Sequence, residues 1–111
     1  MERVNEQDLE FRHGDHGPKY LFRGPRIEWG VIVFRPGQEL GPHKHMQVEE
    51  TFYFLEGTPQ MVIEGESYRV RPGDAFRVEP GEAHNIVNDT GADIRLVFIK
   101  CPCIPDDKAG L

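Results

Sequence analysis

Short apolar stretches recur through most of the chain, and each of them ends at residues that favour turns. The stretches are about four to eight residues long and rich in β-branched and aromatic side chains, as strands are. They cover residues 27–34, 48–55, 60–63, 67–70, 75–78, 84–87 and 93–100. No window has the periodicity of an amphipathic helix of normal length. The pattern therefore predicts an all-β fold, a small antiparallel β-barrel or double-sheet sandwich.

The residues between the stretches define how the domain is organised. Glu64-Gly65-Glu66 separates two of the stretches and predicts a β-hairpin. No linker, internal repeat or low-complexity segment interrupts residues 20–100. We therefore predict one barrel domain over residues 20–103, preceded by an N-terminal arm at residues 1–19 and followed by a C-terminal tail at residues 104–111.

Charge and composition narrow the classes of partner. The 111 residues carry a formal net charge of −6, and Lys and Arg form no basic stripe, which argues against nucleic acid or an anionic membrane as a partner. The N-terminus is charged where a signal peptide would be apolar, and no segment reaches the ~20 apolar residues of a membrane span. We expect a cytoplasmic protein that binds a small molecule.

One set of polar residues has the spacing of a metal site. His43 and His45 are two residues apart, so that on a strand both point to the same face. Glu50 follows at the start of the next apolar stretch, and His84 comes later, just after the Pro80-Gly81 turn. Three imidazoles and one carboxylate suit a divalent transition metal such as Fe, Mn, Ni or Zn. Positions left open on such an ion are typical of a catalytic site.

The same residues carry a family resemblance. The stretch GQELGPHKHMQVEETFYFLEG, from Gly37 to Gly57, resembles the first cupin motif, G(X)5HXH(X)4E(X)6G. The stretch GDAFRVEPGEAHNIVN, from Gly73 to Asn88, resembles the second, G(X)5PXG(X)2H(X)3N. One position departs from the pattern, because Glu79 stands where the motif has its first proline. We expect this change to alter one turn slightly and to leave the ligands untouched.

The resemblance implies a jelly-roll barrel whose interior holds the ion through His43, His45, Glu50 and His84. Alternation along the strands then assigns the remaining inward positions. With Glu50 facing inward, we predict that apolar side chains line the pocket, namely Phe52, Phe54, Phe76 and Ile86. Glu49 is the rival ligand; alternation turns it outward, toward solvent or a basic partner. His13 and His16 lie outside both motifs and are expected in a solvated loop.

Several functions are compatible with this site, because the fold does not choose the reaction. The first is a metalloenzyme of the dioxygenase, decarboxylase or isomerase type that acts on a small anionic or oxygenated molecule, with an oxidoreductase among the possibilities. The alternative is a non-catalytic binding or sensing module, and a third is a barrel that the metal only stabilises. No general acid or base can be assigned, since Tyr53 faces outward and the facing of Gln60 and Tyr68 is open.

The last apolar stretch predicts a partner. In residues 93–100, Ile94, Leu96 and Phe98 alternate with Val97 and Ile99, so the strand is apolar on both faces. A strand of this kind is covered on both sides. In so small a domain the second cover is expected to be another copy of the chain, and we predict a homodimer.

Overall fold

The computed structural model describes residues 1–110, which form two five-stranded antiparallel sheets. A 3₁₀ turn spans Glu6–Asp8 and precedes ten strands, which are β1 Gly17–Arg23, β2 Glu28–Phe34, β3 His43–His45, β4 Glu49–Glu56, β5 Gln60–Ile63, β6 Glu66–Arg69, β7 Ala75–Val78, β8 His84–Val87, β9 Ile94–Cys101 and β10 Lys108–Gly110. The first sheet has the order β1-β2-β9-β4-β7 and the second β10-β3-β8-β5-β6. This is the predicted all-β, double-sheet jelly roll. Within these residues, no helix has the length and apolar character needed to cross a membrane.

The predicted hairpin joins β5 to β6. Ile63 and Glu66 are the last paired residues, so that only Glu64 and Gly65 form the loop. Their φ angles are 50° and 81°. Positive φ at both central residues is the mark of the type I′ turn, whose twist matches that of the flanking strands. A turn of this length fixes the register of the hairpin.

Inward side chains of both sheets build one hydrophobic core. Phe52, Phe54 and Ile86 are 0% exposed, as alternation from Glu50 and His84 predicts. Residues on the same faces of the neighbouring strands complete the cluster, and its other members are Ile32, Phe34, Met61, Val70, Val78, Ile94, Leu96 and Phe98. Full burial of one such side chain contributes about 1.5–3 kcal/mol. The core therefore gives the barrel most of its stability.

Both terminal segments join the sheets. β1 begins at Gly17, before the predicted start of the barrel, and Lys19 lies in it with only 6% of its surface exposed. The Lys19 ammonium group donates to the backbone carbonyl and the carboxylate of Glu6. At the other end of the chain, β10 pairs with β3. The strands thus extend past both predicted domain boundaries, because long-range pairing orders segments that carry no apolar pattern.

The last residues of the two motifs, Gly57 and Asn88, lie at strand ends in tightly packed surroundings. Gly57 has a φ of 89°, and a Cβ atom there would meet Ile94 Cγ2 at 2.5 Å. Asn88 is 0% exposed, and its side-chain nitrogen donates to the carbonyls of Phe34 and Ala92. The last residue of each motif is therefore a structural position at a strand end.

Candidate metal centre

The four motif residues meet inside the barrel. His43 and His45 lie on β3 and His84 lies on β8 of the second sheet, while Glu50 lies on β4 of the first. His43 and His84 are direct partners across the two strands. One ligand atom from each of the four residues lies within 4.8 Å of the others, and their exposed fractions are 2–4%. The site therefore lies between the two sheets, and both sheets contribute residues to it.

Backbone carbonyls orient all three histidine rings in the same way. His43 Nδ1 donates to the carbonyl of Gly41 at 2.8 Å, and His84 Nδ1 donates to that of Glu82 at 3.0 Å. His45 Nδ1 donates to the carbonyl of Asp107 at 3.0 Å. Since a carbonyl only accepts, Nδ1 carries a proton in each ring, and Nε2 is the nitrogen that faces the interior of the barrel. This arrangement around metal-binding histidines fixes the tautomer and the ring orientation.

The Nε2 atoms converge on the carboxylate of Glu50. His45 Nε2 lies 2.9 Å from Glu50 Oε1. His84 Nε2 lies 3.4 Å from the same oxygen and is a buried polar atom without a hydrogen-bond partner. A buried nitrogen lone pair without a partner is costly unless a cation or a donor satisfies it. A divalent metal fits this set, because three imidazole nitrogens and one carboxylate oxygen are the donors that such ions prefer.

Electrostatics favours the metal-binding protonation states of Glu50 and His43. Burial would raise the pKa of the Glu50 carboxyl, but the His45 and His84 side chains and the Lys100 charge lower it to about 2. Burial lowers the pKa of His43 to about 4, and the nearby His84 and Lys108 act in the same direction. At neutral pH the carboxylate is charged and the His43 ring is neutral. Both states are those required of metal ligands.

The neighbours of the motif residues show why the register is unambiguous. Glu49 points to the outer face, where its carboxylate lies 3.9 Å from Arg77 Nε. Glu79, at the position that departs from the motif, donates its backbone N–H to the Glu82 carboxylate at 2.7 Å. A proline could not make this bond, and here it closes the turn that leads to His84. The four candidate ligands meet in the barrel although this position departs from the motif.

A cavity of about 100 Å³ opens beside His43, His45 and Glu50. The four residues predicted to line the pocket do not line this cavity. Phe52, Phe54 and Ile86 belong to the buried core and Phe76 packs against it. The cavity is lined instead by Arg12, Pro18, Tyr20, Arg23, Ile32, Leu40, Phe98, Lys100, Ile104, Pro105 and Lys108, together with the three ligands. Alternation correctly predicts the inward face, but it does not tell how far along the barrel each residue lies.

Sequence analysis missed the polar groups of the cavity wall. Lys100 donates to the Tyr20 hydroxyl at 2.8 Å. Tyr68, whose facing the sequence leaves open, is 44% exposed, and its hydroxyl donates to the Glu66 carboxylate. Alternation from Phe98 could have placed Lys100 inward. Nothing in the local pattern singles out Tyr20.

Charged residues form a row across the inner face of the first sheet. Register pairs Arg23 with Glu28, Glu28 with Lys100, and Lys100 with Glu50. Arg23 Nε lies 3.0 Å from Glu28, and Lys100 Nζ lies 3.9 Å from it. Signs alternate along the row, so each buried charge has an opposite neighbour. The row leads from the edge strand of the sheet to the carboxylate of the metal centre.

A family model described as a cupin domain matches residues 30–100, and the chain therefore belongs to the cupin family. The match contains both motifs and all four candidate ligands. Among curated proteins, the chain is 27% identical over 81 residues to the polyketide synthase CurC of Streptomyces cyaneus. The aligned region covers 73% of this chain and 53% of that protein, so the chain spans about half the length of the curated relative.

Solved structures share the fold over nearly the whole chain. The polyketide cyclase RemF from Streptomyces resistomycificus is 24% identical with a TM-score of 0.84, and the match covers 100% of this chain and 85% of that one. An uncharacterized conserved protein with a double-stranded β-helix domain from Klebsiella pneumoniae is 20% identical with a TM-score of 0.83, covering 98% and 96%. KdgF from Halomonas sp. is 24% identical with a TM-score of 0.80, covering 93% and 94%. These likenesses define the fold.

Proposed function

We propose that this chain is a metal-dependent enzyme that acts on a small anionic or oxygenated molecule. His43, His45, Glu50 and His84 hold a divalent transition metal, and the adjoining cavity takes the molecule to be transformed. The observation that carries the proposal is the unsatisfied, buried Nε2 atom of His84, which lies among three other inward-facing ligand groups. A divalent ion at this position would polarise an oxygen of the bound molecule.

The cavity wall supplies groups that can move a proton. The Tyr20 hydroxyl lines the cavity and accepts a hydrogen bond from Lys100. A phenol beside an ammonium group can hold or release a proton at its oxygen within reach of a bound molecule. Isoleucine, leucine and phenylalanine side chains on the same wall limit the access of water, which strengthens electrostatic interactions there. This combination favours an enzyme over a binding module.

Elemental analysis of the purified protein is the first test of the proposal. We expect about one equivalent of Fe, Mn, Ni or Zn in the wild type and none in His84→Gln, because loss of one ligand sharply weakens a four-ligand site. His13→Gln is the matched control, since His13 is exposed and is not one of the four candidate ligands. Metal retained by His84→Gln at the wild-type level would contradict the proposed ligand set.

The reaction class is tested on the metal-loaded protein with small carboxylates, thiols and flavonoid-like compounds. Oxygen uptake with turnover indicates a dioxygenase, and release of carbon dioxide without net oxygen uptake indicates a decarboxylase. Conversion of one isomer of a substrate to another indicates an isomerase. Saturable binding without any turnover would instead establish the binding or sensing module.

A further inference from the structure

Two lysines face the metal centre from opposite sheets. Lys100 is the direct cross-strand partner of Glu50, and Lys108 is that of His45. Directly opposite residues of an antiparallel pair point to the same side of the sheet. Both lysines therefore point inward with the ligands, and both line the cavity. Each is placed by the same backbone pairing that places a metal ligand.

Cationic side chains outnumber acidic side chains on the cavity wall. Arg12, Arg23, Lys100 and Lys108 are its cationic residues, and Glu50 is its acidic residue. The Lys100 and Arg23 charges are partly balanced by Glu28. Among residues 1–110, the ion pairs involve neither the Lys108 ammonium nor the Arg12 guanidinium. This excess of positive charge contrasts with the net charge of −6 of the whole chain.

The size of the cavity limits what can balance that charge. Its volume of about 100 Å³ is large enough for several atoms beyond a single water molecule. It is well below the 300–1,000 Å³, roughly, of pockets that enclose drug-sized ligands. A compact molecule can therefore occupy it whole. The complementary ligand is therefore small and carries more than one negative charge.

We propose that the cavity is a binding site for a small dianion, a molecule with two acidic groups such as a dicarboxylate. One acidic group is directed toward the ligands of the metal centre, and Lys108 and Arg12 bind the second at the mouth. Lys100 and the Tyr20 hydroxyl contact the molecule from the opposite sheet. The inference rests on the proposed metal-dependent function and names its substrate class.

Isothermal titration of the metal-loaded protein tests this inference with three probes of similar size. Malonate has two acidic groups, propionate has one, and malonamide has none. We expect malonate to bind about tenfold or more tightly than propionate, because its second carboxylate forms charge-assisted hydrogen bonds that propionate cannot form. Malonamide should show no measurable binding. Metal content is measured again after each titration, so that removal of the metal by malonate is recognised.

Lys108→Gln is the decisive variant, and Lys44→Gln is its matched control. Lys44 lies between His43 and His45 on β3, where alternation turns it away from the cavity. We expect Lys108→Gln to weaken malonate binding by about tenfold and propionate binding much less, whereas Lys44→Gln should leave both unchanged. Equal binding of malonate and propionate by the wild type, or equal losses in the two variants, would overturn the inference.

The metal measurements separate this inference from the proposed function. If the wild type holds metal but does not distinguish malonate from propionate, the dianion site is wrong and the metal-dependent function stands. If the wild type holds no metal at the four ligands, both are overturned. If Lys108→Gln retains metal and loses only the preference for malonate, both are supported.

Discussion

The two ends of the barrel interior are built by the same strands and filled in opposite ways. On β4 the inward residues run from Glu50 at the site to Phe52 and Phe54 in the core. On β8 His84 is followed on the same face by Ile86. One end is thus mostly apolar, while the other collects histidines, a carboxylate and lysines around a cavity.

This contrast separates stability from chemistry within a single domain. The apolar end gains stability from the transfer of aromatic and aliphatic side chains out of water. The polar end contains buried groups that are costly unless paired, and hydrogen bonds to backbone carbonyls offset part of that cost. Substitutions at the apolar end should therefore change the free energy of unfolding, and those at the polar end should change ligand binding and the response to pH.

The largest effect is expected from Phe54→Ala, at the apolar end. Removing a fully buried ring leaves a cavity, and the free energy of unfolding should fall by about 3–5 kcal/mol. Urea denaturation of the metal-free protein measures this change. Tyr53→Ala, one residue away but 45% exposed on the outer face, is the control and should cost about 1 kcal/mol or less. Comparable losses in the two variants would mean that the core lies elsewhere.

Acidification of the metal-free protein should destabilise the polar end. The folded-state pKa of His43 is about 4, below its ordinary value of 6.5, because the ring is buried. Between these values the unfolded chain binds a proton that the folded chain does not, so stability falls as pH decreases from 6.5 to about 4. The loss attributable to His43 is about 3 kcal/mol.

Urea denaturation at several pH values measures this loss. His43→Gln should show a shallower decrease than the wild type over the same range, since it has no ring to protonate. His13→Gln, a change in the exposed loop, should keep the wild-type slope. An unchanged slope in His43→Gln would show that other groups produce the acid sensitivity.

In Glu50→Gln, the melting temperature should no longer depend on the presence of metal. A metal that binds only the folded state contributes ~2.7 kcal/mol when present at a hundred times its dissociation constant. The variant keeps the shape of the side chain but loses its charge, so its metal affinity should fall sharply. Melting with and without a chelator measures the difference, and the wild type should lose several degrees while the variant barely responds. Glu49→Gln should behave as the wild type, since Glu49 faces Arg77 on the outer surface.

Substitutions on the outer face of the first sheet should have the smallest effect on the free energy of unfolding. We predict that two copies of the chain make contact at this face. Ile99 is 38% exposed there, and Val97 beside it is half-buried. Light scattering should give about twice the mass of the 12.7 kDa chain. Val97→Asp should shift the protein toward the monomer, while Glu49→Lys on the same face should not. A wild-type protein that stays monomeric at high concentration would contradict the predicted dimer.

Local sequence patterns predict most of the strands. Seven apolar stretches correspond to β2 and β4–β9 within one or two residues at each end, because period-two alternation and turn residues act over short distances. None of the seven apolar stretches covers β1 or β10. Lys19 and Lys108 lie in these strands for reasons that involve Glu6 and β3, far away in sequence. No local pattern contains that information.

The sequence by itself determines the inward face and the set of candidate ligands: His43, His45, Glu50 and His84 are recognisable because their spacing follows the pleat of a strand and the motifs. Tertiary structure alone decides which inward residues meet at the same depth in the barrel. Depth depends on the register between strands that are distant in the chain, as when Lys100 is set opposite Glu50 and Lys108 opposite His45. Alternation repeats identically at every depth, so it assigns Phe52 and Glu50 to one face but cannot tell the core from the cavity.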